Sequence, residues 1–483
     1  MQARALVQTL RDAQTYGLRA QDYAAEPLAA QIARLDAAAE SSADLAAFGS
    51  ALSAAARALV HDLHFGRIDP AATGFDIPRR EPAFDYGATI EQLASDDPAA
   101  VIARIEPQLL HYRLLKEALL RYLQLAAEPG LTALPSPGAA AIKPGQRYVG
   151  APALRALLAA TGDLSAADAA GTDTVLDPNL VTALKRFQNL HGLDEDGALG
   201  RATFAALTVP LSQRMRSIEL TLERMRWLPA IRAPTLIINI PQFRLYLLKS
   251  DRDREADMLR MNVIVGQEYP SKYTPVFAAD IESIVFRPFW DVPPSIARNE
   301  LVPLLRRKPD YLAAEHMQIV RNGGDSEEPL PPSPMNLDAV AAGNLRLRQR
   351  PGSDNALGLI KFVLPNPYGV YLHSTPAPQL FARPRRSFSH GCIRVSDPEA
   401  LAVEVLRGTP GDWTLSNVQA AMNGDTTRTV RLAHPMHVLV LYGTAIASED
   451  GAVHFFDDVY GHDRRLAALL AASHRNVSAA GEL

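Results

Sequence analysis

The sequence has only one cysteine, Cys392, among its 483 residues. A single thiol cannot form an intramolecular disulfide, and it excludes zinc sites that are built from several cysteines. No stretch approaches the roughly 20 continuous apolar residues of a membrane-spanning helix. The opening residues, MQARALVQTLRDAQ, lack the apolar core of a secretory signal. We therefore expect a soluble chain from which an upstream targeting segment has been removed.

Long runs of basic residues are also missing, and the net charge is −4. Nucleic-acid binding needs a clustered positive surface, so we exclude nucleic acid as a partner. No His-Glu-x-x-His sequence occurs, and we expect neither a catalytic metal nor a cofactor. Apolar residues make up 47% of the chain and charged residues 21%, which is ordinary for a globular protein. A chain of this length should form about two to four domains.

The apolar pattern divides the chain into helical and β-rich parts. Residues 1–130 are rich in Ala and Leu at helical spacing and predict a helical domain, which a Pro- and Gly-rich linker at 128–145 follows. Residues 211–229 carry one apolar stripe and predict a helix that packs back onto the N-terminal helices. From 233 to 470, segments rich in Ile, Val, Phe and Tyr predict strands. An insertion at about 296–350 starts with helical spacing and continues as a polar, Pro-rich run, which is typical of lids.

A small helical unit is predicted between these parts, at residues 146–208. Asp177 and Pro178 are typical of a helix start, and Gly192 can end that helix. Periodicity alone would indicate no more than a small helical domain. The stretch VTALKRFQNLHGLDEDGALGRATFAAL, however, resembles peptidoglycan-binding type 1 modules. The resemblance implies a module that anchors the protein to the cell wall, presents the substrate or serves as a spacer.

The single cysteine lies in the sequence SHGCIR, residues 389–394, downstream of a predicted strand that ends at His373. A cysteine reacts as its thiolate, and a nearby imidazole that takes the proton completes a nucleophilic pair. Gly391 leaves room for a substrate carbonyl, and the amides of Gly391 and Cys392 are candidates for an oxyanion hole. Arg394 is a candidate for binding a carbonyl or carboxylate. A lone Cys-His neighbourhood would also fit a metal site or an inert thiol.

The residue types in this region are more specific than the spacing between its cysteine and histidine residues. Residues 371–395 resemble the active-site signature of YkuD-type L,D-transpeptidase catalytic domains, in which a histidine precedes Ser/Thr-His-Gly-Cys, an apolar residue and Arg. The resemblance implies that Cys392 is the nucleophile and His373 its general base. It implies that Ser374 orients the imidazole through its backbone carbonyl, although many relatives carry Asp there. The implied oxyanion region is His390, Gly391 and Cys392, and the implied substrate-binding residues are Arg394, Tyr371, Ser389, Trp290 and Phe388.

The order of parts along the chain is similar to that of the large periplasmic YcbB-type subfamily. The resemblance implies a multidomain α+β protein with a helical scaffold domain, a small helical peptidoglycan-binding domain and a mainly-β catalytic domain at 233–470. Residues 296–350 would form an inserted capping subdomain over the active site, with Trp290 near its hinge. A periplasmic location is implied too. The implied partners are peptidoglycan stem peptides, as tetrapeptide donor and as acceptor, with carbapenems as inhibitors and other cell-wall synthesis enzymes as further candidates.

The resemblance also implies a reaction. Cys392 would attack the diaminopimelate carbonyl of a donor tetrapeptide and release D-Ala, and the diaminopimelate amine of a second stem would resolve the thioester as a 3→3 cross-link. Two alternatives stay open at this point. One is an L,D-carboxypeptidase or other cysteine hydrolase of the cell wall, in which water takes the acyl group. The other is a non-catalytic peptidoglycan-binding protein in which the β domain is an adaptor.

Overall fold

The computed structural model describes residues 2–37, 41–78, 80, 84–128, 130–250, 254, 256–323 and 328–473. The fold is multidomain α+β, with helices before residue 230 and a large sheet after it. The helices are α1 (Gln2–Arg11), α2 (Ala25–Ala37), α3 (Ser42–Phe65), α4 (Tyr86–Ser95), α5 (Pro98–Ile105), α6 (Leu110–Ala126), α7 (Ala151–Thr161), α8 (Ala166–Ala169), α9 (Pro178–Leu190), α10 (Arg201–Leu207), α11 (Leu211–Trp227), α12 (Pro294–Ile296), α13 (Val302–Arg307), α14 (Tyr311–Ala314), α15 (Pro334–Ala342), α16 (Pro398–Val405), α17 (Leu415–Met422) and α18 (His462–Ala472). Short 3-10 turns cover Asp12–Tyr16, Ala20–Tyr23, Pro70–Thr73 and Pro378–Ala382, and a π-helical turn covers Ala297–Leu301.

The strands belong to one large sheet, a three-stranded sheet and a hairpin. They are β1 (Thr235–Asn239), β2 (Arg244–Leu248), β3 (Leu259–Gly266), β4 (Phe277–Phe286), β5 (Trp290–Asp291), β6 (Met317–Arg321), β7 (Leu345–Gln349), β8 (Ile360–Val363), β9 (Leu372–His373), β10 (Ser387–Ser389), β11 (Ile393–Val395), β12 (Arg428–Leu441), β13 (Ala445–Ala447) and β14 (Val453–Phe455). The β-rich region that the composition predicts after residue 233 is therefore present.

The first five helices share one apolar core, and α3 runs through its centre. By length and composition alone, α3 could cross a membrane. The sequence did not indicate this, because the apolar residues of α3 do not form a long uninterrupted run. Leu59, Val60 and Leu63 of this helix are nonetheless fully buried against its neighbours. Asp62, also buried, accepts a hydrogen bond from the Tyr23 hydroxyl at 2.8 Å. These are the contacts of a core helix in a helical domain.

α6 and α11 form a second apolar cluster together with the hairpin β13–β14. Ile218 and Leu222 of α11 are fully buried there against Leu115 and Leu119 of α6. The apolar stripe of residues 211–229 thus packs onto an N-terminal helix. Through this cluster the N-terminal helices contact the β-rich region.

A buried ionic network fastens α11 to the segment that follows α3. The Glu223 carboxylate accepts hydrogen bonds from the backbone amides of residues 67 and 68, at 2.5 and 2.9 Å. Arg226 pairs with Glu223 at 3.3 Å, and the two side chains are 0% and 2% exposed. Arg226 also donates to the Tyr112 hydroxyl at 3.2 Å and to the Tyr16 carbonyl. Buried charges of this kind are tolerated only when each is paired and hydrogen-bonded.

The unit at 146–208 has an apolar core of its own, built from α7, α9 and α10. Asp177 caps α9 by accepting a hydrogen bond from the Leu180 amide at 2.9 Å, as its position before Pro178 predicts.

One end of this unit docks on the hairpin β13–β14. The His191 ring stacks between Phe187, at 3.8 Å, and Phe455 of β14, at 5.8 Å. Burial lowers the pKa of His191 to about 3, so the ring is neutral and packs as an aromatic group. Arg186 adds an ion pair to Asp450 of the hairpin at 3.0 Å. The small helical unit is therefore held against the β-rich region by side chains from both.

The large sheet has the strand order β10-β3-β11-β9-β8-β4-β12-β1-β2, and β2 also pairs with β3. The sheet therefore closes on itself around an apolar core. β9 and β11 run parallel, while β8 and β9 run antiparallel. Phe362 of β8, Leu372 of β9 and Ile393 of β11 are all 0% exposed in this core. The opposite face of the same three strands carries the residues of the candidate site.

The insertion is a small folded subdomain with a separate apolar core. Its sheet has the order β5-β7-β6, so its first and last strands pair with each other, with Trp290 opposite Gln349. This pairing makes a two-stranded neck, and the subdomain begins at Trp290, six residues before the start that the sequence indicates. Residues 324–327 of the predicted polar run lie outside the described residues.

Candidate active site

Three adjacent strands place an imidazole between two cations, with one cation on each side. Lys361 of β8 is the register partner of His373 of β9, and His373 is the register partner of Arg394 of β11. Residues that are directly opposite in neighbouring strands have their side chains on the same face of the sheet. The three side chains therefore form one row, Lys361-His373-Arg394, across the sheet.

Cys392 lies immediately before β11, one position from this row. The Ile393 amide donates to the Tyr371 carbonyl at 3.0 Å, which puts Cys392 beside Tyr371. Leu372 and Ile393 point into the closed sheet, and successive side chains of a strand alternate between faces. Tyr371 and Cys392 consequently share the outer face with His373. The structure thus places the nucleophile and base that the sequence suggests on the same face of the sheet.

The thiol of Cys392 is only partly accessible. Its Sγ faces the Gly369 carbonyl at 3.8 Å. Burial raises the pKa of the thiol, while hydrogen bonding from the Tyr371 amide and hydroxyl and the positive charges of Lys361 and Arg394 act in the opposite direction. Because burial dominates, the resting residue is a neutral thiol whose anion already has stabilising groups around it.

His373 is 4% exposed. Burial, and next the charge of Arg394, lower the pKa of this imidazole to about 3; Lys361 adds to the effect, and the backbone carbonyls of Ser374 and Leu357 oppose it. Nδ1 of the ring has no hydrogen-bond partner among the described residues. The ring is therefore neutral at neutral pH and able to accept a proton. Ser374 contributes through its backbone, as the family resemblance implies.

A tight turn shapes the backbone around the nucleophile. The Ser389 hydroxyl donates to the Cys392 carbonyl at 2.6 Å and accepts from the Gly391 amide at 3.1 Å. The Thr274 hydroxyl donates to the Gly391 carbonyl at 2.7 Å. Gly391 has φ +126°, and a Cβ on it would lie 3.2 Å from the Tyr273 carbonyl oxygen, so glycine suits the position.

These contacts bear on the predicted oxyanion hole. The Gly391 amide is already engaged by Ser389, whereas the Cys392 amide donates to no other described residue. The Cys392 amide is consequently a backbone donor that is available to a substrate oxygen.

His390 contacts the inserted subdomain. Its Nε2 lies 3.0 Å from Oε1 of Glu300, which also pairs with Lys272 at 3.0 Å. Burial by itself would raise the pKa of Glu300, but hydrogen bonds from Lys272 and His390 lower it overall. Glu300 lies in the π-helical turn Ala297–Leu301, a conformation that is frequent at functional sites. Glu300 thereby connects the insertion to the loop that carries Cys392, and we call its contacts with His390 and Lys272 the latch.

Tyr371 and Trp290 form the second contact between the insertion and the site. Burial, above all, raises the pKa of the Tyr371 hydroxyl; interaction with Cys392 acts in the same direction, and interaction with Trp290 acts in the opposite one. The Tyr371 ring lies 5.6 Å from the ring of His373. Phe388 is half-buried, and its carbonyl accepts from the Gln267 side chain at 3.2 Å.

Three residues of the site were missed by the sequence interpretation: Lys361, Gly369 and Glu300. Lys361 stands in a short strand, IKFV, where alternation alone is typical of a solvent-facing lysine. Its place beside His373 depends on the pairing of β8 with β9. Gly369 and Glu300 reach the site through a turn and through the folded insertion. Among the described residues, no cluster of three or more His, Cys, Asp or Glu side chains could hold a metal ion.

The protonation states predict a distinctive pH profile for the thiol. We expect the rate of Cys392 alkylation by iodoacetamide to rise about tenfold per pH unit through the neutral range, because the thiolate fraction rises in that way below a raised pKa. No inflection is expected near pH 6.5, since His373 is uncharged down to about 3. A rate that is flat around neutral pH would instead indicate a preformed thiolate-imidazolium pair.

The latch at Glu300 predicts a change in access. The Glu300→Gln variant should react about fivefold faster with a bulky maleimide, since its partly exposed contacts to Lys272 and His390 contribute about 1 kcal/mol together. The Asp338→Asn variant is the control, because its pair with Arg306 lies within the insertion. Equal rates for Glu300→Gln and the parent protein would show that the latch does not restrict access.

Comparison with known proteins agrees with the parts seen in the structure. Residues 233–412 match the family described as L,D-transpeptidase catalytic domain. Residues 152–207 match the family described as "Putative peptidoglycan binding domain", and residues 1–119 match a scaffold domain. The predicted family resemblances of the catalytic region and the small helical unit are confirmed by these matches.

A curated protein of Haemophilus influenzae, named "Putative L,D-transpeptidase", is 29% identical to this chain over 286 residues. The match covers 57% of this chain and 55% of that protein, so the chain spans about half the length of the curated relative.

Proposed function

Residues 233–412 are an L,D-transpeptidase catalytic domain, and from this we propose that the chain is a peptidoglycan L,D-transpeptidase that works through a thioacyl-enzyme on Cys392. Its substrates are stem peptides, and its product is the 3→3 cross-link between diaminopimelate residues. The observation that carries the proposal is the strand register that gathers Tyr371, His373, Cys392 and Arg394 on one face of the sheet. A neutral base and a shielded thiol therefore lie on the same face of the sheet, and the Cys392 amide beside them donates to no other described residue.

The acylation step follows from these groups. The Sγ proton passes to His373 as Sγ bonds to the diaminopimelate carbonyl carbon of the donor tetrapeptide. The carbonyl oxygen becomes negative, and the Cys392 amide can donate to it. The peptide C–N bond then breaks, the electron pair returns to nitrogen, and His373 gives its proton to the departing D-Ala amine. Sγ is left as a thioester with the tripeptide.

Transfer to the acceptor reverses this proton path. The side-chain amine of a second diaminopimelate attacks the thioester carbonyl and loses a proton to neutral His373. The C–S bond breaks, and the proton returns from His373 to the sulfur. A hydrolase would use water in place of that amine. We propose that the insertion favours transfer by limiting the access of water, because its Glu300 contacts His390 in the loop that carries Cys392.

Other parts of the chain fit work on the cell wall. Arg394 lies in the row beside the base and can bind a carboxylate of the donor stem. The unit that matches a peptidoglycan-binding family, residues 152–207, is docked on the β-rich region by His191 and Arg186. We place the protein in the periplasm on this basis, and carbapenems, which acylate thiols of this family, as its inhibitors.

Product analysis tests the proposal directly. The purified protein is incubated with disaccharide tetrapeptide, and the muropeptides are separated and weighed. We expect dimers that have lost one D-Ala. Monomeric tripeptide alone would identify an L,D-carboxypeptidase, and unchanged substrate would favour a non-catalytic binding protein. Meropenem should add its mass to the parent protein at Cys392.

A further inference from the structure

Lys361 is an amine that the mechanism above does not use. It is half-buried on the outer face of β8, in register with His373. Its Nζ lies 3.9 Å from the centroid of the Tyr371 ring. No carboxylate forms an ion pair with it in the part of the chain that the structure describes, although Asp291 is near enough to act on its charge. Asp291 itself pairs with Arg346 at 2.8 Å.

An ammonium group in this position is costly unless an anion balances it. Moving a charge out of water carries a desolvation penalty that only a partner charge or hydrogen bonds can offset. Burial accordingly lowers the pKa of Lys361, while the anion of Cys392 acts to raise it. Cys392 is the acid of the cleft that changes charge during the reaction.

We propose that Lys361 is a positioning residue whose ammonium stabilises the thiolate of Cys392 as it forms. The ammonium acts across the Tyr371 ring, which holds it by a cation-π contact. Tyr371 in turn lies beside Cys392, since the Ile393 amide donates to the Tyr371 carbonyl at 3.0 Å. This role deepens the proposed L,D-transpeptidase mechanism and rests on it, because Lys361 adds a positive charge that stabilises the sulfur anion when the proton moves to His373.

Arg394 does not make Lys361 redundant. The two cations stand on opposite sides of His373 in the row, so together they bracket the base. Both charges disfavour the imidazolium and favour the thiolate. With one of them removed, the thiolate loses part of its stabilisation. Arg394 is also the residue that would bind substrate, whereas Lys361 contacts a ring of the protein itself.

The test uses alkylation of Cys392 by iodoacetamide as a function of pH, with no substrate present. We expect the Lys361→Met profile to move to higher pH by about one unit, so that alkylation near neutral pH is about tenfold slower. The Lys361→Arg variant keeps the charge and should stay within about twofold of the parent. The control is Lys272→Met, whose ammonium pairs with Glu300 outside the row and whose profile should keep its midpoint.

The outcomes separate a charge effect from a structural one. A Lys361→Met profile that coincides with that of the parent overturns the proposal. So does a rate that is lower by the same factor near neutral pH and on the alkaline plateau, where the thiol is fully ionised, which would indicate altered access. Circular dichroism and thermal melting check that the variants fold. If the profile shifts as expected but no muropeptide dimers form, the inference about Lys361 stands and the proposed L,D-transpeptidase function fails.

Discussion

The Cys392→Ala variant is expected to form no muropeptide dimers and to gain no mass from meropenem. The loss should be at least about a thousandfold, because a covalent route without its nucleophile falls to the level of the remaining groups. Cys392 is the only cysteine of the chain, so a thiol reagent reports on this residue alone. The measurement is dimer formation from disaccharide tetrapeptide, with intact-protein mass analysis after meropenem.

The Cys392→Ser variant is the matched comparison. Its side chain has nearly the same shape, and the hydrogen bond of the parent thiol to the Gly369 carbonyl is long, at 3.8 Å. Both variants should therefore melt at the temperature of the parent. Serine is a far weaker nucleophile than the thiolate and should also fail to make dimers. Dimers from either variant at the parental rate would show that another residue carries the acyl group.

The largest effect on stability is expected from Glu223→Leu. This change leaves the Arg226 guanidinium buried without its carboxylate and removes the acceptor of the amides of residues 67 and 68. Breaking a buried pair in this way lowers the free energy of unfolding by about 3–5 kcal/mol. Urea unfolding followed by circular dichroism measures the change.

Two further variants make that experiment specific. Glu219→Leu, on the same helix and paired with partly exposed Arg216, should change the free energy of unfolding by under about 1 kcal/mol. The double variant Glu223→Leu with Arg226→Met should recover part of the loss, since no unpaired charge remains buried. A Glu223→Leu protein as stable as the parent would show that the network contributes little.

The helical parts could be predicted from local sequence. Asp177 caps α9 because an aspartate before proline suits a helix start, and that signal is contained in a few neighbouring residues. The apolar stripe of 211–229 likewise gave α11 and the face that it buries. The multidomain α+β fold is confirmed, since helical and strand periodicities are distinct along the chain.

Site residues could be predicted from the sequence only where they lie close together in one segment of the chain. SHGCIR and the strand before it named Cys392 and His373, and the structure places them on adjacent strands. Lys361 joins them through strand pairing across the sheet, which periodicity does not specify. His390 shows the same limit: its partner is Glu300, 90 residues earlier in the chain. Such contacts depend on how the insertion folds back, not on the local pattern.

The stacking of His191 between Phe187 and Phe455 bears on how the protein would bind peptidoglycan in its proposed function. Because this joint is packed by side chains, it restricts movement of the unit at 152–207 relative to the sulfur of Cys392. A strand of murein gripped by that unit would present stem peptides to the sulfur at one spacing only. The distance between the two parts of the protein would then select which stem peptides along the glycan reach the sulfur.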